Sequence, residues 1–377
     1  MKYYIIAGEA SGDLHGSNLI KELYTLDPVA HIRCWGGEKM ESAGATVVKH
    51  YRDLAFMGFI EVIQNLPAIF HNLSFCKKDI ASYQPEVLIL IDYPGFNLRI
   101  AKWAKQQRLK IVYYISPQVW AWKENRVKTI KACVDKMLVI LPFEKEFYKK
   151  WHYEVDYVGH PLVEVIRDFQ NNIEKNTPLF TDPGKGIIAL LPGSRQQEIS
   201  IKLPIMLQQS IHFPSYKFVV AKAPGIPGEF YDALLKPYTN VSAIADRTYS
   251  LLSQSTAALV TSGTATLETA LFGVPEVICY KGNALSYQIA KRLIKIKFIG
   301  LVNLILDKEV VTELIQDELT EENLKRELSA LLYDNSKRNL VLSGYDDLTR
   351  LLGEGGNASA NAAKIINDFI ARPLSQQ

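Results

Sequence analysis

The chain has 377 residues, long enough for two domains that each bury an apolar core. Lys and Arg number 43 against 40 Asp and Glu, and a net charge of +3 argues against one large basic face for nucleic acid. Cys34, Cys76, Cys133 and Cys279 form no C-x-x-C pair, and the seven histidines show no H-x-x-x-H spacing. Neither a zinc ribbon, a redox motif nor any other metal or cofactor site is therefore expected.

In chain order, residues 3–7 (Tyr-Tyr-Ile-Ile-Ala) read as a first β-strand rather than as the apolar part of a signal peptide, so a cytoplasmic protein is expected. The strand runs into Gly8-Glu9-Ala10-Ser11-Gly12-Asp13-Leu14-His15-Gly16, whose spacing is neither a dinucleotide fingerprint nor a Walker A loop. It reads as a loop where a bulky substrate approaches the backbone. Further strand-like runs fall at 31–35, 87–91, 111–115, 137–141 and 155–158, separated by helix-like segments. That alternation predicts βαβ units and a parallel sheet covered on both faces.

Between the second and third runs lies the apolar stretch 54–75, with Glu61 as its only formal charge. Broken by Pro67 and polar residues, it falls short of the ~20 residues that span a bilayer. It reads either as a buried helix or as an interfacial segment.

Loops after parallel strands carry ligands in such sheets. The run 87–91 ends in Asp92-Tyr93-Pro94-Gly95-Phe96-Asn97, which sets Asp92 where a general base is needed; a helix-capping Asp is the structural alternative. The run 111–115 ends in Ser116-Pro117-Gln118-Val119-Trp120-Ala121-Trp122, an aromatic shelf beside Gln118 suited to sugar or acyl contacts, with plain loop packing as the alternative. His160, in Gly159-His160-Pro161, is a further candidate against the default of a structural histidine.

The polar stretch 168–186 lacks apolar periodicity and reads as the linker between domains 1–170 and 171–350. The second half repeats the strand pattern at 187–191, 217–221, 241–245, 258–261 and 277–280. The first of these ends in Pro192-Gly193-Ser194-Arg195, where the Arg195 fork suits phosphate oxygens and an ordinary surface arginine is the alternative. The run 258–261 leads into Ser262-Gly263-Thr264-Ala265-Thr266-Leu267-Glu268, small residues and hydroxyls at a helix start that favour a diphosphate, with Glu268 placed for ribose hydroxyls. A simple capped helix is the alternative there.

Two stretches pair apolar with basic residues: Phe56, Met57, Phe59 and Ile60 upstream of Lys77 and Lys78, and Lys291-Arg292-Leu293-Ile294-Lys295-Ile296-Lys297-Phe298. Such pairs suit an anionic membrane surface, with burial and a solvated helix face as alternatives. Segment 351–377 reads as an amphipathic helix packing across domains or, in a homodimer, across subunits.

The motifs GEASGDLHG, AFMGFIEV, IDYPGFN, SPQVWAW, LPFEKEFY, GHPL, LPGSRQQEI and SGTATLE, covering roughly four-fifths of the chain, closely resemble those of the lipid-A-disaccharide synthases. The resemblance implies two Rossmann-like domains facing across a cleft, the GT-B glycosyltransferase architecture. It implies transfer of 2,3-diacylglucosamine from its UDP derivative to 2,3-diacylglucosamine 1-phosphate, with inversion, at the inner face of an inner membrane. By position Asp92 matches the catalytic aspartate, Arg195 the donor-diphosphate arginine, and Glu9 and Ser11 the acceptor-side loop. Gly95 departs from the many members that carry a second Asp there. A UDP-N-acetylglucosamine 2-epimerase is the nearest competing expectation, and a non-catalytic lipid- or nucleotide-binding protein a more distant one.

Overall fold

The computed structural model describes residues 1–54, 66–171, 177–182, 184–283, 287 and 296–371. The chain divides into two compact units, Met1–Pro161 with Leu352–Gln377, and Leu162–Leu351.

The first unit is built on a seven-stranded sheet: β1 (Lys2–Ala7), β2 (His31–Gly36), β3 (Thr46–His50), β4 (Val87–Ile91), β5 (Lys110–Tyr114), β6 (Lys136–Val139) and β7 (Asp156–Tyr157). All pairs are parallel, in the order β3-β2-β1-β4-β5-β6-β7. Side chains alternate across a strand, so each interior strand feeds two cores. Tyr4, Ile6, Leu88, Leu90 and Tyr113 pack on one face with Cys76, Ile100 and Ile130 of the helices Leu66–Tyr83, Pro94–Gln106 and Arg126–Cys133. Tyr3, Ile5, Val87, Ile89 and Tyr114 pack on the other with Leu19 and Leu23 of the helix Ala10–Leu26.

That second face is completed by the C-terminal helix Ala358–Ala371, which buries Ala362, Ala363, Ile366 and Phe369 in the first unit's own core. Lys110 Nζ donates to its Ile370 carbonyl at 2.7 Å, and its Asn361 side chain donates to the Val158 carbonyl at 3.1 Å. The apolar stripe read as an interdomain or intersubunit surface is used here because one helix cannot cover that face of a seven-stranded sheet.

The second unit carries a parallel sheet in the order β10-β9-β8-β11-β12-β13. Its strands are β8 (Ile187–Leu191), β9 (Lys217–Lys222), β10 (Val241–Ala245), β11 (Ser255–Thr261), β12 (Glu276–Tyr280) and β13 (Thr312–Ile315). The stretch 168–186, read as a linker, lies inside this unit, where Phe169 packs edge-on against Tyr249 and Phe272 at 5.5 and 5.7 Å. β3 and β13, absent from the sequence reading, are edge strands with Thr, Lys, His or Glu among few apolar residues.

Both sheets reverse direction once. The chain builds β1, β2 and β3 outward and returns to place β4 beside β1; it then builds β8, β9 and β10 outward and returns to place β11 beside β8. At such switch points the loops after neighbouring strands diverge and leave a crevice at their carboxyl ends. Both faces being packed, strand-end loops are where polar chemistry can be displayed.

Some polar groups serve the fold itself. Asp13, 2% exposed, accepts the backbone N–H groups of Gly37, Lys39 and Met40 at 2.7, 3.2 and 3.1 Å and so ties the loop after β2 to the helix Ala10–Leu26. Among the described residues no helix is long and apolar enough to cross a membrane.

Glu276, at the start of β12, is 1% exposed, and neither carboxyl oxygen has a hydrogen-bond partner. Burial, reinforced by the Glu313 charge, pushes its pKa well above the usual carboxylate range. An unfolded Glu ionises at roughly pH 4.3, so the folded chain binds the extra proton above that pH and loses stability as pH rises. Replacing Glu276 by Gln removes this titration. The Tm difference between Glu276→Gln and the parent chain, measured calorimetrically, should move in the variant's favour from pH 5 to pH 8; a constant difference would show that Glu276 is not held protonated.

Candidate active site

β1 and β4 pair in register, with Ala7 opposite Ile91, so the loops leaving them start side by side. Gly8 lies under the Tyr93 ring, and a methyl group on it would sit 2.4 Å from that ring. Only the absence of a side chain allows this approach. Glu9 then takes the N-cap position of the helix Ala10–Leu26, half-exposed, with Ser11 exposed in its first turn.

Asp92 and Tyr93 are consecutive left-handed residues, with φ of 42° and 49°. Non-glycine residues seldom adopt this conformation, and surrounding bonds must hold it. The Asp92 N–H donates to the Tyr114 carbonyl at 3.2 Å, and its carbonyl accepts from Asn97 Nδ2 at 2.7 Å and from the Tyr113 hydroxyl. Asn97 is fully buried and also donates to the Ile91 carbonyl at 3.2 Å. The result is a carboxyl that leaves the sheet in a partly buried position. Burial first, and then the neighbouring Glu9 charge, push its pKa up to about 7, against the Tyr93 N–H that favours the carboxylate. A carboxyl poised near neutrality suits a general base. The capping alternative is not realised: Tyr93 holds the N-cap position of the helix Pro94–Gln106, with no side-chain cap bond. Gly95 is exposed, and a methyl group there would touch nothing within 4 Å.

The loop after β5 splits the expected aromatic shelf. Trp120 is half-buried, donating its indole N–H to Glu144 at 3.3 Å and meeting Phe143 edge-on at 5.1 Å, so this side chain is spent on loop packing. Trp122 is 47% exposed and Gln118 is exposed. Glu144, 1% exposed, also accepts the Leu141 N–H at 3.0 Å, and burial pushes its pKa up to about 7. His160 is 4% exposed; burial, and then repulsion from His15, lower its pKa to about 3, so it is a neutral core histidine with little surface to offer a ligand.

In the second unit the loop after β8 carries Gly193, with φ of +117°, where a methyl group would lie 2.8 Å from Glu198 Oε2. Ser194 is exposed, and Arg195 takes the N-cap position of the helix Gln196–His212. Glu198 sits one turn on, 3.4 Å from Arg195 Nη1 and 3.9 Å from Lys202 Nζ. Lys202 is 2% exposed, and burial lowers its pKa while the Glu198 charge opposes that. The Arg195 guanidinium, 60% exposed, therefore stands at the helix start beside a half-exposed Glu198 that also faces the buried Lys202.

β11 pairs with β8 and is followed by Ser262 and Gly263, which precede the helix Thr264–Leu271. Gly263 and Thr264 are exposed, and the first N–H groups of a helix have no intrahelical acceptor. Two neighbours are already engaged: Ser262 Oγ donates to the Ile299 carbonyl at 2.9 Å, and Thr266, fully buried, donates to the Gly263 carbonyl at 2.8 Å. Thr266 thus shapes the turn rather than offering a hydroxyl. Glu268 Oε1 accepts the Tyr249 hydroxyl at 2.7 Å, and burial pushes its pKa up.

Each unit therefore gathers its candidate groups at its own switch point: Glu9, Ser11 and Asp92 in the first, Gly193, Ser194, Arg195, Gly263 and Thr264 in the second. Tyr93, Asn97, Tyr113 and Glu144 were not singled out from sequence, because their partners lie on other elements; nor was Lys202, whose burial beside Glu198 on its own helix only the fold reveals. The membrane-contact candidates Phe56, Met57, Phe59, Ile60 and Lys295 lie outside the described residues. Lys297 is exposed and bonded to Asp307 at 2.9 Å.

Comparison with known proteins adds to this geometry. The family model described as Lipid-A-disaccharide synthetase matches residues 3–366. The lipid-A-disaccharide synthase of Geobacter sulfurreducens is 37% identical over 98% of this chain and 97% of its own length. The corresponding protein of a Coxiella burnetii strain is 37% identical over 97% of this chain and 98% of its own. Among solved structures, a UDP-GlcNAc 2-epimerase from Neisseria meningitidis bound to UDP-GlcNAc aligns with a TM-score of 0.68 at 13% identity, covering 98% of this chain and 99% of that one. The calicheamicin glycosyltransferase CalG4 aligns with a TM-score of 0.65 at 15% identity, covering 99% and 98%. At these identities the structural likeness speaks to fold alone, the two Rossmann-like domains of the GT-B class.

The contact between Gly8 and Tyr93 is testable by itself. Gly8→Ala should cost ~1–3 kcal/mol by overpacking, read as a lowered denaturation midpoint. Combined with Tyr93→Ala, the loss should be less than the sum of the two single losses, because the second change removes the ring the methyl strikes. Strict additivity would show that the ring does not lie on Gly8.

Proposed function

The chain belongs to the lipid-A-disaccharide synthase family and is a glycosyltransferase, and on that premise we propose that it transfers 2,3-diacylglucosamine from its UDP derivative to the 6-hydroxyl of 2,3-diacylglucosamine 1-phosphate. The products are a β-1,6-linked disaccharide 1-phosphate and UDP.

The observation that carries the mechanism is the Asp92 carboxyl, left-handed at the end of β4 and raised to about 7. Asp92 takes the proton of the acceptor hydroxyl as its oxygen attacks the anomeric carbon from the face opposite UDP, which inverts configuration. Burial and the Glu9 charge raise the basicity of Asp92 while leaving a useful ionised fraction at neutral pH. Glu9 and Ser11 border this loop on the acceptor side.

Arg195 and the N-terminus of the helix Thr264–Leu271 stabilise the negative charge that develops on the departing diphosphate. Glu268, fixed by Tyr249, is the proposed ribose contact. The enzyme is proposed to act at an anionic inner-membrane surface from its cytoplasmic side. Phe70 and Phe75, 62% and 40% exposed on the helix Leu66–Tyr83 near Lys77 and Lys78, support that reading.

Mixed-micelle assays test the proposal. UDP release from UDP-2,3-diacylglucosamine should require the acylated 1-phosphate acceptor and yield a tetra-acylated disaccharide; isomerisation of UDP-N-acetylglucosamine instead would overturn it. Because the reactive form of Asp92 is the carboxylate, kcat/KM should fall as pH drops below about 7. Asp92→Asn should lower kcat by about 10²–10⁴-fold without weakening UDP binding, and a near-parental rate would remove the base role. Arg195→Ala should weaken UDP binding roughly 10–100-fold, the loss of a charge-assisted hydrogen bond of ~1.5–3 kcal/mol.

A further inference from the structure

The loop that follows β5 carries a group of side chains with no part in the mechanism above. β5 is the immediate neighbour of β4, with Tyr114 opposite Ile91, and the Asp92 N–H donates to the Tyr114 carbonyl at 3.2 Å. The loop therefore starts beside the proposed base.

Its first half is fixed from below. The Ser116 and Tyr148 hydroxyls are bonded at 2.7 Å, and Glu144 holds the Trp120 indole N–H at 3.3 Å. With Glu144 1% exposed and Ser116 6% exposed, this is a buried polar support, of the kind that fixes a loop in one conformation.

The second half is displayed. Trp122 is 47% exposed, with Lys123 Nζ 4.1 Å and Arg126 Cζ 5.6 Å from its ring centroid. The carboxylate between these cations in sequence, Glu124, is engaged by the Trp151 indole N–H at 3.0 Å. Among the described residues no ion pair joins Lys123 or Arg126 to a carboxylate. An exposed cation–π contact contributes little to stability, so folding alone does not account for the arrangement. The Arg126 charge also reaches the neighbourhood of the base: burial raises the pKa of the Tyr113 phenol far up, Asp92 adds to that, and Arg126 opposes it. Tyr113 is the residue whose hydroxyl donates to the Asp92 carbonyl.

We infer that Lys123, on a loop anchored by Glu144, and Arg126, at the start of the helix that follows it, both carried against the Trp122 ring, bind the phosphate of the acceptor, a phosphorylated acyl-sugar. The inference rests on the glycosyl-transfer reading above and names the groups that would recognise one of its two substrates. An arginine fork and an ammonium supply several donors to phosphate oxygens, and the ring holds the two flexible stems in place. A phosphate seated there would fix the sugar with respect to Asp92, so that discrimination for the phosphorylated acceptor is set at this loop.

The test compares acceptors with and without the 1-phosphate, in neutral-detergent micelles, for the parent chain and for the Arg126→Gln/Lys123→Gln double variant. The parent should prefer the phosphorylated acceptor in kcat/KM by roughly 10–100-fold, and the double variant should bring that ratio toward one. Arg126→Lys should restore part of it. A second arm measures binding to phosphatidylglycerol vesicles, since lipid headgroup phosphates present the same chemistry. An unchanged acceptor ratio with weakened vesicle binding would overturn the inference in favour of a membrane contact, and an unchanged ratio with unchanged vesicle binding would overturn it outright. Failure of the parent chain to form disaccharide from either acceptor would instead count against the transfer reading itself.

Discussion

The burial of both faces of two parallel sheets constrains where chemistry can occur in this protein. Strands such as β4 and β8 are buried at every position, so their side chains are committed to packing. Polar side chains can reach a ligand only where strands end, and the two loops at a switch point diverge from adjacent strands. Glu9 and Asp92 follow β1 and β4; Arg195 and Gly263 follow β8 and β11. The same covering requirement recruits the C-terminal helix, whose apolar face is needed to close the first unit over Tyr3, Ile5 and Ile89.

Asp92 shows how such a position tunes a carboxyl. Tight turning at the strand end forces two residues into the left-handed region, and bonds from Tyr114, Asn97 and Tyr113 hold them there. The strain is local and the restraint comes from β5 and from the helix Pro94–Gln106. Keeping the carboxyl partly out of water, with Glu9 nearby, raises its basicity to the range where proton abstraction at neutral pH is efficient. Gly8 permits this by letting the Tyr93 ring lie on the backbone.

The diphosphate site proposed in the second unit poses a different electrostatic problem. A diphosphate requires positive charge and N–H donors, and the loops after β8 and β11 carry Arg195 and the N-terminus of the helix Thr264–Leu271. Arg195 remains largely exposed, while Glu198 and the buried Lys202 restrain its neighbourhood. Thr266 and Ser262, which carry hydroxyls suited to a ligand, instead bond to backbone carbonyls and define the turn. A hydroxyl in a binding motif can thus contribute by shaping the loop.

The sequence by itself determined the two-domain α/β class and the interior strands, because a strand buried on both faces must be a short continuous apolar run; β8 is Ile-Ile-Ala-Leu-Leu. It also placed Asp92, directly after the β4 run, and Arg195, in the loop that follows β8, since loops after such runs stand at the carboxyl ends of the strands. The edge strands β3 and β13 escaped because one flank is unpaired and their composition is mixed. Tertiary structure alone decided that Trp120 turns inward while Trp122 faces solvent: the Glu144 that takes the Trp120 indole lies 24 residues away, on another element. It likewise decided that Asn97 and Tyr113 hold the Asp92 backbone and that the C-terminal stripe belongs to the first unit. Local sequence fixes burial and period, whereas long-range pairing fixes which way a side chain points and how far a pKa moves.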